Sequence, residues 1–131
     1  MGSTDAHLSA PVIDRAVLED LSAIDPAIVV DLVHAFVSDV PHRIVALERS
    51  AAERSGNDIL REAHGLKGGA CAIGAVRLAE LCAAIETDAC AGHFDDAIAR
   101  TRGLMPAFVE LTQTLERISA TVDSRSHRGA A

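Results

Sequence analysis

Apolar residues recur along most of this chain at spacings of three and four, the pattern typical of amphipathic α-helices. The first predicted helix covers residues 13–24, with Asp14 as a candidate N-cap. The second covers residues 26–54, because Asp25 followed by proline is a strong helix start signal. Pro41 lies inside this second helix and lacks an amide hydrogen, so we expect a bend in the helix there and not its end.

The rest of the chain predicts three more helices and no strand. A third helix, capped by Asn57 or Asp58, runs to about residue 73, a fourth covers 75–91, and a fifth covers 94–122. Gly103 and Pro106 should distort the fifth helix without ending it. Because the connections are short, we predict an all-α fold, an antiparallel four-helix bundle with a short additional N-terminal helix.

Length and composition agree with a single helical domain. The chain has 131 residues, of which 49% are hydrophobic and only 2% aromatic, so the core should consist of closely packed Ala, Leu, Ile and Val. We expect the bundle to occupy residues 12–123, between a flexible leader at 1–11 and a flexible tail at 124–131.

Charge and cysteine usage narrow the classes of partner. A net charge of -7 argues against binding to nucleic acid or to an anionic membrane, which leaves proteins as the expected partners. No apolar run is long enough to insert into a membrane, and no signal peptide is evident, which favours a cytoplasmic location. Cys71, Cys82 and Cys90 show no CxxC spacing and sit in apolar stretches, so we expect reduced, buried thiols and no metal site.

One histidine in the third helix has unusual neighbours. At about 100° per residue, His64 points roughly 150° away from the apolar stripe of its helix and therefore faces outward. Lys67 and Gly68 are its nearest neighbours on that face. A lone exposed histidine is ordinarily an inert polar residue. The glycines beside this one argue against that interpretation, because each costs roughly 0.5–1 kcal/mol of helix stability relative to alanine. Close helix packing explains one of Gly68 and Gly69 but not the whole arrangement.

These residues belong to a longer spaced motif, which resembles that of the histidine-containing phosphotransfer (HPt) domains of two-component phosphorelays. The family motif runs A-H-x-L-K-G, a later Gly, and L-x-x-L-C-x-x-L-E. The matching residues are Ala63-His64-Gly65-Leu66-Lys67-Gly68, Gly74, Leu78, Leu81-Cys82 and Ile85-Glu86. The family often has serine at one or both positions after Lys-Gly, where this chain has Gly69 and Ala70, which puts a hydroxyl contact in doubt but not the acceptor.

The resemblance implies a role for each residue near the histidine. His64 takes a phosphoryl group from the aspartyl phosphate of one receiver domain and passes it to the aspartate of another, while Lys67 balances the arriving charge. Glu86 either holds the orientation of the ring through its non-reacting nitrogen or is a solvated glutamate at a helix end. Arg61 either attracts phosphate or is simply solvated. The small residues that would let a partner approach are Gly65, Gly68, Gly69 and Cys71.

The resemblance also implies partners and excludes others. Receiver domains of response regulators, and a hybrid sensor histidine kinase, are the expected partners of a monomeric carrier with no cofactor of its own, and Mg²⁺ is expected on the receiver. Because the chain has no P-loop and no room for an ATP-binding domain, it should not be an autonomous kinase. Two alternatives stay open at this point: a non-transferring helical adaptor that regulates a receiver or sensor by occupancy, and a helical metal or redox protein. The chain could equally be a complete protein or the module of a membrane-bound hybrid kinase.

Overall fold

The computed structural model describes residues 10–130, with side chains through residue 118, and this part of the chain is helical without β-strands. Six helices follow one another: α1 (Arg15–Ile24), α2 (Pro26–Ala52), α3 (Gly56–Ala72), α4 (Val76–Cys90), α5 (Phe94–Thr101) and α6 (Leu104–Ala130).

Aspartate caps set the start of the first two helices. The side chain of Asp14 accepts a hydrogen bond from the amide of Ala16 at 3.1 Å, and that of Asp25 accepts one from the amide of Ala27 at 3.0 Å. Both caps are as predicted. Pro41 lies within α2, and the helix continues through it to Ala52, so the prediction that it does not stop the helix is confirmed.

The predicted cap of the histidine helix was wrong. α3 begins at Gly56 with Ser55 as its N-cap, so that Asn57 and Asp58 belong to the first turn. The hydroxyl of Ser55 donates to the Asp58 carboxylate at 2.8 Å, and the Ser55 carbonyl accepts the amide of Ile59 at 2.9 Å. Asp58 therefore stabilises the helix start from inside the first turn, where a carboxylate also interacts favourably with the helix dipole.

The predicted single helix over residues 94–122 is two helices. α5 ends at Thr101, and α6 starts at Leu104 after a break at Arg102 and Gly103. Pro106 consequently lies in the first turn of α6, where amides have no intrahelical partner and a proline costs little. The backbone of α6 then stays helical to Ala130, beyond the predicted end at residue 122.

The helices pack as a ring of four. α2 contacts α3 and α6, and α4 contacts α3, α5 and α6, so α5 and α6 together form the fourth side while α1 packs on α2. The predicted all-α four-helix bundle with an extra N-terminal helix is confirmed. Aliphatic side chains fill the ring, and the rings of Phe36 and Phe108 lie 6.3 Å apart between α2 and α6. The largest fully buried side chains include Ile44, Leu47, Ile59, Leu66, Leu78, Ile85, Leu111 and Leu115.

The predicted flexible ends lie largely outside what the structure describes. Residues 1–9 and 131 are not among the described residues, nor are the side chains of the tail at 124–131. Ala10, which we assigned to the flexible leader, is buried, and its carbonyl accepts a hydrogen bond from Nε of Arg77 at 2.9 Å. The packed part of the chain therefore starts earlier than residue 12.

Candidate functional site

His64 lies on the outer face of α3. The inward face of this helix carries the buried residues Ile59, Ala63, Leu66 and Ala70. Because side chains three and four residues apart share a helix face, this arrangement turns His64 outward. Its side chain is 76% exposed, so the predicted outward orientation is confirmed and the imidazole is open to a partner molecule.

Lys67 and Glu86 form an ion pair beside the histidine. Nζ of Lys67, one turn after His64, lies 2.7 Å from Oε1 of Glu86, which α4 contributes from the neighbouring side of the bundle. The Glu86 side chain is only 20% exposed, and that of Lys67 is 31% exposed. Contact with the Glu86 carboxylate raises the pKa of Lys67 above its ordinary value of 10.5, so the lysine is cationic at neutral pH.

The same carboxylate faces the imidazole at a longer distance. Oε2 of Glu86 lies 3.9 Å from Nδ1 of His64. This separation exceeds a hydrogen bond, which would need about 3.2 Å or less. Glu86 is thus neither a solvated glutamate at a helix end nor a direct hydrogen-bond partner of the ring, because its close contact is with Lys67. Nδ1 is the ring nitrogen beside the carboxylate, which leaves Nε2 as the candidate nucleophile.

Gly68 and Gly69 are not required by packing against the described part of the chain. A Cβ added at Gly68 would meet no described atom within 4 Å, and one at Gly69 would only touch the ring of Phe36 at 4.0 Å. Neither residue has the positive φ that favours glycine. Close helix packing, the alternative explanation for one of these two residues, is therefore not needed at either position.

Gly65 faces the second helix instead. A Cβ there would lie 3.1 Å from Nη1 of Arg43, whose Nε is paired with Asp39 on α2. The glycine leaves room for this guanidinium to lie against α3. Arg43 was not among the predicted site residues, although its spacing of four from Asp39 is the usual signal of an ion pair on a helix surface.

The cysteine prediction was partly wrong. Cys82 is buried in the core, but Cys71 and Cys90 are exposed. Cys71 follows His64 by seven residues, about two helical turns, and shares its outward face, which agrees with its predicted place among the small residues near the histidine. Burial raises the pKa of the Cys82 thiol to about 12, so this thiol is unionised at neutral pH. Cys71 lines an apolar cleft of about 360 Å³ that also touches Lys67, Gly74 and Ala79.

Two further groups of charged residues do not contact the imidazole of His64 among the pairs that the structure describes. Arg61 is 71% exposed and pairs with Asp58 at 2.8 Å on its own helix. Asp88, His93 and Asp96 bring their ligand atoms within 4.8 Å of one another, a proximity that sequence spacing did not reveal. Asp88, the buried residue of the three, already forms an ion pair with Nε of Arg100 on α5 at 2.6 Å. Its charge is therefore balanced without a metal ion.

The family model described as "Hpt domain" matches residues 31–121, more than half of the chain. The chain belongs to the HPt family. A solved structure, histidine-containing phosphotransfer protein B (HptB) from Pseudomonas aeruginosa PAO1, is 26% identical, with a TM-score of 0.78 over 86% of this chain and 98% of that chain. The comparison with curated proteins finds no match.

Membership of the HPt family supports a phosphotransfer carrier role in phosphorelays, and HPt proteins are carriers rather than kinases. His64 lies within the matched residues, as do Lys67 and Glu86. Over residues 10–130, no helix of this HPt domain combines the length and the apolar character needed to cross a bilayer.

Proposed function

We propose that this HPt domain is a phosphocarrier that accepts a phosphoryl group on His64 from a receiver-domain aspartate and passes it to a second receiver. One observation carries the proposal: the exposed imidazole of His64 has a carboxylate near one ring nitrogen and an ammonium one helical turn away. A neutral imidazole is a competent nucleophile near neutral pH.

The bonds, electron pairs and protons of the phosphoryl transfer balance without a cofactor bound to this chain. The lone pair of Nε2 attacks the phosphorus of the aspartyl phosphate, the bond from phosphorus to the carboxylate oxygen breaks, and its electron pair stays on the aspartate. The proton on Nδ1 remains in place, so the product is a phosphorylated imidazolium beside Glu86. Transfer to the second receiver reverses these changes on a new aspartate. The receiver supplies the Mg²⁺ that neutralises the phosphoryl oxygens.

Residues around His64 then have supporting roles. Lys67 stabilises the developing negative charge, and Glu86 lies where it can orient the ring after phosphorylation. The open space above Gly68 lets the backbone of a receiver approach the imidazole, together with Gly69 and exposed Cys71, whereas the space beside Gly65 is taken by Arg43. Arg61, already paired with Asp58, adds positive charge to the approach but no direct contact with the acceptor.

We infer that the partners are receiver domains of response regulators, and a hybrid sensor histidine kinase as the source of phosphate. The carrier acts as a monomer in the cytoplasm, either alone or as a module of a larger kinase, and has no kinase activity of its own. An acidic chain with a net charge of -7 is suited to protein partners and not to nucleic acid.

The proposal is tested by phosphate transfer from a ³²P-labelled receiver. Wild-type protein should gain an acid-labile, alkali-stable label, and a second receiver should remove it. His64→Gln should abolish labelling, whereas His42→Gln, a matched change at an exposed histidine on α2, should leave it intact. The His64 substitution should change the free energy of unfolding by no more than about 0.5 kcal/mol, as for other surface changes.

Label that persists in the His64 variant would move the acceptor to another residue. If receivers bind both proteins equally and neither is labelled, the chain is an adaptor that regulates its partner by occupancy.

A further inference from the structure

The carboxylate of Glu86 lies between the two groups that the proposed chemistry uses. Oε1 is 2.7 Å from the ammonium of Lys67, and Oε2 is 3.9 Å from the imidazole of His64. Oε1 is buried and has no partner in hydrogen-bond geometry, so its compensation is the charge of the Lys67 ammonium at 2.7 Å. A buried carboxylate oxygen is costly to leave without a partner. In the unphosphorylated protein, Lys67 is therefore committed to Glu86.

Phosphorylation of His64 changes this balance of charge. A phosphoryl group carries close to two negative charges, whereas the Glu86 carboxylate carries one. Residues three apart on a helix are neighbours, with about 5–6 Å between their Cβ atoms, so the long Lys67 side chain reaches a group on the ring. Since Coulomb attraction scales with charge, the phosphoryl group competes successfully for the ammonium. The proton that remains on Nδ1 now belongs to a cationic ring and offers Glu86 a replacement partner.

Lys67 also has space in which to move. It lines the apolar cleft of about 360 Å³ shared with Cys71, and it lines a second, open depression of about 600 Å³ along α4 with Ala83 and Thr87. These two depressions give the lysine stem room to rotate from α4 toward His64.

We propose that Glu86 is a positioning residue that binds Lys67 while His64 is unphosphorylated and releases it to the phosphoryl group when His64 is phosphorylated. This inference rests on the proposed function and deepens it, because Glu86 then opposes retention of the phosphoryl group and helps the carrier pass it on. The exchange of Lys67 between two anions makes the site reversible: a lysine bound only to phosphate would favour storage over transfer.

A single label reports on this exchange, because Lys67 is the only lysine in the chain. Protein labelled with [¹³Cε]lysine gives one lysine signal, whose pH titration by NMR yields the pKa of Lys67. The titration is carried out on wild type, Glu86→Gln, and Glu48→Gln, a matched loss of charge at an exposed glutamate on α2. Each protein is measured before and after treatment with phosphoramidate, which phosphorylates an imidazole as its P–N bond breaks and ammonia leaves. Phosphohistidine is counted by ³¹P NMR.

Before phosphorylation, Glu86→Gln should lower the pKa of Lys67, and Glu48→Gln should leave it unchanged. After phosphorylation, the decrease in the pKa of Lys67 caused by Glu86→Gln should be less than half of the decrease seen before phosphorylation, because the phosphoryl group then binds the ammonium. An undiminished effect in phosphorylated protein would show that Lys67 stays on Glu86, which overturns the inference and leaves the carrier function standing. Absence of phosphohistidine in wild type, with His64 accessible, would overturn the proposed function and the inference together.

Discussion

The amide of Asp14 donates to the carbonyl of Gly74 at 2.7 Å, which ties the start of α1 to the end of the histidine helix. Gly74 has a positive φ of 77°, and a Cβ there would lie 2.7 Å from the Asp14 carbonyl oxygen and 3.0 Å from Cβ of Val17. Two independent constraints, a left-handed backbone and a close approach, require glycine at this position. The later glycine of the HPt motif is thus a structural element of this chain.

Gly74→Ala should destabilise the protein by about 2–4 kcal/mol, the sum of backbone strain and forced displacement of α1. Gly92→Ala is the matched control, because Gly92 has a similar φ of 75° but no described atom within 4 Å of an added Cβ. It should cost only about 1–2 kcal/mol. Urea unfolding of both variants measures the difference, and equal losses would contradict the role of the contact with Asp14.

Gly68→Gln should separate folding from partner access. An added side chain at this helical position meets no described atom, so we expect stability to rise by about 0.5–1 kcal/mol. Transfer from a phosphorylated receiver should fall at least tenfold, a loss of about 1.4 kcal/mol in transition-state stabilisation. Labelling by phosphoramidate, which needs far less room, should be retained.

Comparison of the two donors supplies the internal control for Gly68→Gln. If both rates fall together, the substitution has damaged the acceptor itself. If the rate from the receiver is unchanged, the open space above Gly68 has no part in docking.

The three cysteines should react in two classes. Exposed Cys71 and Cys90 should react rapidly with a thiol reagent in the native protein, while buried Cys82 should react only on unfolding. Burial raises the pKa of Cys82 to about 12, so the reactive thiolate is scarce at pH 8. Counting reacted thiols by absorbance tests this expectation, and Cys82→Ala should remove the slow class alone. Three fast thiols in folded protein would be inconsistent with this core.

The Lys67–Glu86 pair should contribute to stability in a pH-dependent way. Because pairing with Glu86 raises the folded-state pKa of Lys67 above 10.5, its contribution is fully present below pH 10.5 and is lost as the pH rises through the folded-state pKa. The difference in unfolding free energy between wild type and Lys67→Met should therefore shrink above pH 10.5. Urea titrations from pH 7 to 12 measure it, with Glu86→Gln as the background in which the pH dependence should disappear.

The sequence correctly predicted those structural features that depend on contacts between residues close together in the chain. The caps at Asp14 and Asp25 depend on contacts two residues away, and both are present. The start of α3 and the break at Gly103 were mispredicted for a related reason. Several polar residues compete to cap α3, and a single glycine is compatible with either a distorted helix or two helices. Packing against neighbouring helices selects among such alternatives.

The features of the site also separate into those that the sequence predicted and those that depend on tertiary packing. Helical periodicity alone determined that His64 faces outward and that Lys67 lies beside it, because residues on one helix keep a fixed angular relationship. Only the tertiary structure decided that Glu86 contacts Lys67 more closely than His64 and that Cys90, which was predicted to be buried, is exposed. These features depend on how far each helix rotates about its own axis when the ring of four closes. That rotation minimises the free energy of the whole core and is not encoded in the pattern of any one helix.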